Sequence, residues 1–152
     1  MPFHWVTTNP LKSFFNKINT TIVMSSIFSK IISGELPSYK IAETDKFLAF
    51  LDINPNAKGH TLCIPKEEVN KLFELDDETY SGLMSFSKKI AIALEEAVPC
   101  KRVGMAVIGL EVPHVHVHLI PLNKMKDMDF GNKLNFTHEQ LSRLAEEIKE
   151  NL

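Results

Sequence analysis

Three histidines stand at alternate positions in the stretch PHVHVHLIP, which runs from Pro113 to Pro121. The chain has 6 histidines, so half of them fall in this one stretch. In a β-strand, alternate side chains point to the same face, which would put His114, His116 and His118 together and the aliphatic residues opposite. A half-buried strand would rarely carry three histidines by chance. The pattern therefore predicts a row of imidazoles that takes part in chemistry.

A metal site is one use for such a row, because an H-x-H pair on a strand can bind zinc or iron. At about 3.3 Å of rise per residue, however, His114 and His118 would lie roughly 13 Å apart, so they would not share one metal easily. The other candidate ligands show no metal-ligand spacing; they are His60, His138, Cys63 and Cys100. A metal enzyme remains an open alternative.

Phosphate chemistry uses the same row without a metal or a cofactor. One neutral imidazole can attack phosphorus, while N–H groups on either side orient it and stabilise charge on the phosphate oxygens. By symmetry, the central His116 is predicted to be the nucleophile, with His118 and His114 beside it.

Composition limits the class of protein. The 152 residues include 44% hydrophobic side chains, which is enough for one domain with a core. A formal net charge of -2 provides no basic field for nucleic acid, and no apolar run approaches the roughly 20 residues needed to cross a membrane. The two cysteines lack C-x-x-C spacing and fit free thiols in a reducing compartment. We expect a cytoplasmic protein that binds neither nucleic acid nor membrane.

Helix and strand patterns surround the histidines. Predicted helices begin near Ser25, near Asp76 and at Thr137. Predicted strands lie at residues 39–43, 46–53, 60–65, 103–108 and 114–120. This order favours an α+β fold with one antiparallel sheet. Residues 1–23 are predicted to be an N-terminal extension outside the fold, and residues 24–152 to be a single domain.

The chain resembles the histidine triad (HIT) family, in particular the bacterial-type proteins of its Hint-like branch. The HVHVHLI run is similar to the family signature, and the segment from Ser26 to Leu75 is similar throughout to the N-terminal half of such proteins. The resemblance implies a HIT-like fold, a five-stranded antiparallel sheet with flanking helices, and a homodimer. It also implies an enzyme that acts on purine nucleotides such as AMP or GMP at the α-phosphate, through a nucleotidyl-histidine on His116.

The resemblance assigns roles to residues outside the row. Asp52 matches a carboxylate that binds the ribose hydroxyls, and His60 matches a fourth histidine that faces the triad. The residues that match the apolar base pocket are Ile27, Phe28, Ile31, Phe50, Leu51 and Ile53. Without the resemblance, Asp52 would be read as a turn residue and His60 as an ordinary strand-start histidine. For Ile31, simple core packing is an equal alternative.

The chain departs from the family pattern at two places. Ser26, Ser29 and Glu68 stand where many bacterial relatives carry zinc ligands, so no zinc is predicted. The loop before the triad reads IGLEVP, with Leu110 where glutamine is usual and Glu111 where a small polar residue often sits. A carboxylate there would repel a phosphate or favour a cationic amine as leaving group.

Three functions of the nucleotide site therefore stay open. The first is hydrolysis or transfer from a nucleoside phosphoramidate or a related adenylate. The second is hydrolysis of dinucleoside polyphosphates, which would use the same triad with another leaving group. The third is a catalytically weak nucleotide-binding regulatory protein, which the substitutions at Leu110 and Glu111 make credible.

Overall fold

The computed structural model describes residues 26–152, and the predicted extension at residues 1–23 lies outside them. The described helices are α1 (Ser26–Ile32), α2 (Asp77–Ala97) and α3 (His138–Lys149). The strands are β1 (Lys40–Glu43), β2 (Phe47–Leu51), β3 (Thr61–Pro65), β4 (Arg102–Ala106) and β5 (Val117–Leu122). Short 3-10 turns lie at Leu72–Glu74 and Met125–Met128. None of the described helices has the length and apolarity to span a bilayer.

The five strands form one sheet in the order β1-β2-β3-β5-β4, and every neighbouring pair is antiparallel. The predicted α+β class with a five-stranded antiparallel sheet is confirmed. The first three strands form a meander, and β5 lies between β3 and β4. Because β2 and β3 are buried along their whole length, their sequences FLAFL and TLCIP do not alternate between polar and apolar residues.

The helices cover the two faces of the sheet unequally. The long helices α2 and α3 pack on one face and form the main core, which includes Leu51 and Val117. The short helix α1 packs on the opposite face in a smaller apolar cluster that includes Phe28 and Phe50. Successive strand residues point to opposite faces, so each strand contributes to both layers. We call these the α2/α3 face and the α1 face.

The last strand begins later than its sequence predicted. β5 is Val117–Leu122, whereas a strand was expected over residues 114–120. Pairing with β3 stops at the first residue of β5, and upstream of it the Val115 amide donates to the carbonyl of Val69 at 2.8 Å. His114 and His116 therefore precede the strand ladder, although their side chains still alternate with those of the core.

Candidate active site

The histidine row lies on the α1 face, under the ring of Phe28. That ring packs edge-on against His114 and His116, with centroid distances of 5.6 and 5.3 Å, and the rings of His116 and His118 are 4.8 Å apart. His114 has no exposed surface, and His116 and His118 are each 7% exposed. The row predicted from the spacing is present, but in a closed apolar setting rather than on an open face.

The hydrogen-bond partner of His116 fixes which ring nitrogen is free. Its Nδ1 lies 2.7 Å from the carbonyl oxygen of His114, and a carbonyl can only accept, so Nδ1 carries the hydrogen. The Nε2 of the neutral ring then holds a lone pair. Burial lowers the pKa of His116, although the His114 carbonyl and Asp52 oppose the shift. His116 therefore presents an unprotonated nitrogen at neutral pH.

His114 has no N–H group left to offer a ligand. Its Nε2 donates to the carbonyl oxygen of Pro65 at 2.7 Å, and its buried Nδ1 has no hydrogen-bond partner among the residues that the structure describes. Burial lowers the pKa of this histidine too. The structure thus brings His114 beside His116 as a positioning residue that acts through its carbonyl. It does not support the expected role of the His114 imidazole as a direct phosphate partner.

His60 and His118 form a hydrogen-bonded pair. The backbone N–H of Asn56 donates to Nδ1 of His60 at 3.0 Å, so the hydrogen of the neutral His60 ring is on Nε2. That Nε2 donates to Nδ1 of His118 at 2.9 Å, which leaves the His118 hydrogen on its own Nε2. Burial lowers the pKa of both rings to about 3. His118 is therefore a neutral donor at the site.

Asp52 lies beside this pair, with its Oδ2 at 3.6 Å from Nε2 of His60. Burial raises the pKa of Asp52, while a hydrogen bond from the Asn54 amide and the charge of Lys133 oppose the rise. Asp52, His60 and His118 place potential metal ligands within 4.8 Å of one another. A metal bound to Nε2 of His60 would move the ring hydrogen to Nδ1. That nitrogen accepts a hydrogen bond from the Asn56 N–H, so two hydrogens would then face each other. This donor set therefore does not fit a metal ion.

The structure brings together part of the expected base pocket. The predicted residues that lie on the α1 face are Ile27, Phe28, Ile31 and Phe50. The Phe28 and Phe50 rings meet edge to face at 5.8 Å. Leu51 alternates with Phe50 along β2 and therefore lies in the α2/α3 core, and Ile53 packs against the same core. These two residues are not brought to the pocket.

The two departures from the family pattern take definite positions. The Ser29 hydroxyl donates to Oε2 of Glu68 at 2.9 Å. A hydrogen bond therefore joins two of the three residues that stand where a zinc ligand was considered and not predicted. In the loop before the triad, Leu110 is 89% exposed and Glu111 is also exposed. The charge of Glu111 opposes the lowering of the Lys133 pKa by burial, and Glu111 itself lies at the surface.

The segment after β5 also reaches the site, which no sequence pattern predicted. The Phe130 ring packs edge-on against His118 at 4.9 Å and lies 6.1 Å from His60. The Lys133 ammonium donates to Oδ1 of Asn56 at 2.7 Å and lies 5.1 Å from the centre of the Phe130 ring. We call residues 129–134 the tail segment. No motif in this segment indicates binding, and only its tertiary contacts place it here.

Comparisons with known proteins agree with this fold. The family model for the HIT domain matches residues 33–125. An uncharacterized HIT-like protein of Borreliella burgdorferi is 42% identical over 135 residues, which cover 83% of this chain and 97% of that protein. The adenosine 5'-monophosphoramidase hnt1 of Schizosaccharomyces pombe is 39% identical, over 82% of this chain and 96% of its own. A crystal structure of a Hit-like protein from Bartonella henselae superposes with a TM-score of 0.74 at 33% identity, covering 83% of this chain and 95% of that one.

Proposed function

The chain belongs to the HIT family, and we propose that it is a hydrolase or nucleotidyl transferase that cleaves purine nucleoside phosphoramidates, or related adenylates, at the α-phosphate. One observation carries the proposal: Nε2 of His116 holds an unprotonated lone pair, because Nδ1 donates to the His114 carbonyl at 2.7 Å. The relatives named adenosine 5'-monophosphoramidase, at 37 to 39% identity, support the class of substrate.

In the first step, Nε2 of His116 attacks the α-phosphorus of the substrate. A bond forms between this nitrogen and phosphorus as the bond from phosphorus to the leaving amine breaks. The leaving nitrogen is protonated in the substrate before this bond breaks, so it departs as a neutral amine, while the Nε2–H of His118 donates a hydrogen bond to a phosphate oxygen. The product of this step is a nucleotidyl-histidine.

Water completes the reaction in the second step. Its oxygen attacks the same phosphorus and displaces His116, and one of its protons is released to solvent while the other stays on the nucleoside monophosphate. The nucleoside monophosphate then leaves, and His116 regains the lone pair on Nε2. The His114 carbonyl holds the His116 ring in one orientation through both steps, which lowers the entropic cost of attack.

We propose that the nucleoside binds on the α1 face. The apolar cluster around Phe28 and Phe50 can take a purine base. Asp52, beside His60, can accept hydrogen bonds from the ribose hydroxyls.

We also propose that the active form is a homodimer joined along β4. Among the described residues this strand is an edge of the sheet, and a row of its backbone N–H and C=O groups faces no strand of that part of the chain. Met105 on β4 is 47% exposed and Ile108, just beyond it, is 48% exposed. A second copy of the chain would form hydrogen bonds with these backbone groups and cover both apolar side chains.

Rapid-quench trapping tests the catalytic proposal. The wild-type protein and His116→Ala are mixed with radiolabelled adenosine phosphoramidate, and covalently bound label is measured on the millisecond scale. We expect an adduct and turnover in the wild type and neither in the variant, with AMP binding retained in both. Turnover that persists in His116→Ala contradicts the mechanism. AMP binding without adduct or turnover in the wild type would indicate a regulatory nucleotide-binding protein.

A further inference from the structure

The histidines of the site provide no positive charge to balance a bound phosphate. His60, His116 and His118 are neutral because burial lowers the pKa of each. Asp52 adds a carboxylate next to them. A nucleotide phosphate brings further negative charge, and buried or half-buried anions require a compensating cation or strong donors. The neutral donors described above do not supply that cation.

Lys133 is the cation placed to supply it. Among the residues the structure describes, it is the lysine found to act electrostatically on Asp52, His60 and His118 together. Its ammonium and the His118 ring share one neighbour, the Phe130 ring, at 5.1 and 4.9 Å. The side chain is half-buried, so the ammonium stands at the rim of the site rather than in open solvent.

The contacts of Lys133 suit a group that exchanges one partner for another. Its ammonium donates to a neutral amide oxygen, that of Asn56, at 2.7 Å, and an ammonium has three donors. Burial lowers the pKa of Lys133, and the nearby carboxylates of Asp52, Glu111 and Asp129 oppose the shift. A phosphate oxygen carries a negative charge that the amide oxygen lacks, so the ammonium gains a Coulombic attraction when it contacts the phosphate. The flexible lysine stem allows the ammonium to turn from one to the other.

We propose that Lys133 is a substrate-binding residue whose ammonium contacts the phosphate of the bound nucleotide. The proposal rests on the proposed function, because it takes a nucleotide phosphate at His116 as its starting point. It makes the tail segment part of the active site: Phe130 forms a wall against His118, and Lys133 supplies positive charge. The segment is anchored for this role by the Leu134 amide, which donates to the carbonyl of Pro55 at 2.8 Å.

Paired binding measurements with AMP and adenosine test this role. The variant Lys133→Met keeps the aliphatic stem over Phe130 but removes the charge, and Lys133→Arg keeps the charge. Lys126→Gln is the matched control, because Lys126 lies in the same part of the chain and is exposed. Dissociation constants are measured for both ligands by calorimetry, with the full chain in each case. Adenosine has no phosphate and therefore reports on the base and ribose sites alone.

We expect Lys133→Met to weaken AMP binding by about 10- to 100-fold, the range for a hydrogen bond to a charged group, and to leave adenosine binding unchanged. Lys133→Arg should recover most of the loss, and Lys126→Gln should change neither constant. An equal loss for both ligands, or no loss for AMP, overturns the proposal and makes Lys133 a structural tether of the tail segment. If wild-type protein binds neither ligand, the proposed function itself fails, which is a separate result.

Discussion

His60 donates its Nε2 hydrogen to Nδ1 of His118 over 2.9 Å, and this contact decides which nitrogen of His118 faces the site. The origin of the arrangement is the backbone N–H of Asn56, which occupies Nδ1 of His60. One main-chain amide thus sets the tautomer of a ring two side chains away. Without it, His118 could present a lone pair instead of a donor.

The first prediction concerns this relay. The variant His60→Phe keeps a ring of similar size but removes the hydrogen that His118 accepts. We expect kcat to fall by about 100-fold, the lower part of the range for loss of one hydrogen-bond donor to the reacting phosphate, while KM changes little. Steady-state kinetics on adenosine phosphoramidate measure both constants.

A matched control comes from a histidine away from the site. His138 is exposed at the start of α3, and its Nδ1 bonds the Tyr39 hydroxyl at 2.9 Å. His138→Phe should lower stability by about 1 kcal/mol, as for loss of one hydrogen bond, without changing kcat. The relay is refuted if a folded His60→Phe protein turns over at the wild-type rate.

The second prediction is a loss of stability in acid. Burial lowers the pKa of His60 and His118 to about 3, whereas histidine in an unfolded chain titrates near ~6.5. Between these values the unfolded chain binds protons that the folded chain does not, so the free energy of unfolding falls as the pH decreases. The contribution of each such histidine to the free energy of unfolding is complete above pH ~6.5. Below that pH it declines by about 1.4 kcal/mol for each unit by which the pH falls.

Urea unfolding at several pH values between about 7.5 and 4.5 measures this slope. Removing one of the two rings, as in His60→Phe, should make the dependence shallower. Equal slopes for the wild type and this variant would show that His60 does not enter the fold as a neutral ring.

The sequence predicted those features that depend on neighbouring positions. Alternation put the histidines on one face because a strand reverses its side chains at every residue, whatever the fold around it. The same rule, applied to β2, would also have separated Leu51 from Phe50, but the resemblance grouped both in the base pocket. The predicted start of α3 at Thr137 is likewise correct, because Thr137 and Gln140 form a capping box, which is a local structure.

Features that depend on distant contacts were missed. Phe130 and Lys133 reach the site through contacts with His118 and Asn56, far away along the chain, and no periodicity encodes such a contact. The start of β5 was misplaced for a similar reason, because the partner strand, not the apolar pattern, decides where a ladder stops. The tautomers of the histidines also required the positions of main-chain groups that only the folded structure supplies.

The third prediction concerns the glycine that precedes His60. Gly59 has a φ of +89°. A Cβ there would lie 2.9 Å from Cδ1 of Leu94 and 3.0 Å from Cγ2 of Val98, and both of these residues belong to the main core. Gly59→Ala should therefore suffer both backbone strain and overpacking, with a total destabilisation of about 2 to 4 kcal/mol. Because His60 follows directly, kcat should fall as well.

Gly34 provides the comparison that separates the two effects. Its φ of +80° is similar, but a Cβ there would meet nothing within 4 Å. Gly34→Ala should be destabilised only by the strain, about 1 kcal/mol, and should keep its activity. Thermal unfolding and kinetics on both variants test the point. Equal destabilisation of the two would mean that the contacts with Leu94 and Val98 relax without cost.

The fourth prediction follows from the exposed edge at β4. Met105→Asp places a charge on the strand that the proposed dimer would cover, where a second copy would place its own aspartate close by. Burying a carboxylate without a partner costs several kcal/mol, so the dimer should dissociate at concentrations at which the wild type stays associated.

Met125 is 87% exposed and lies in the 3-10 turn after β5, so Met125→Asp is the matched control and should leave the dimer intact. Sedimentation velocity across a range of protein concentrations distinguishes the two variants. If Met105→Asp sediments as the wild type does, β4 is not the interface, and its exposed groups remain open to another partner.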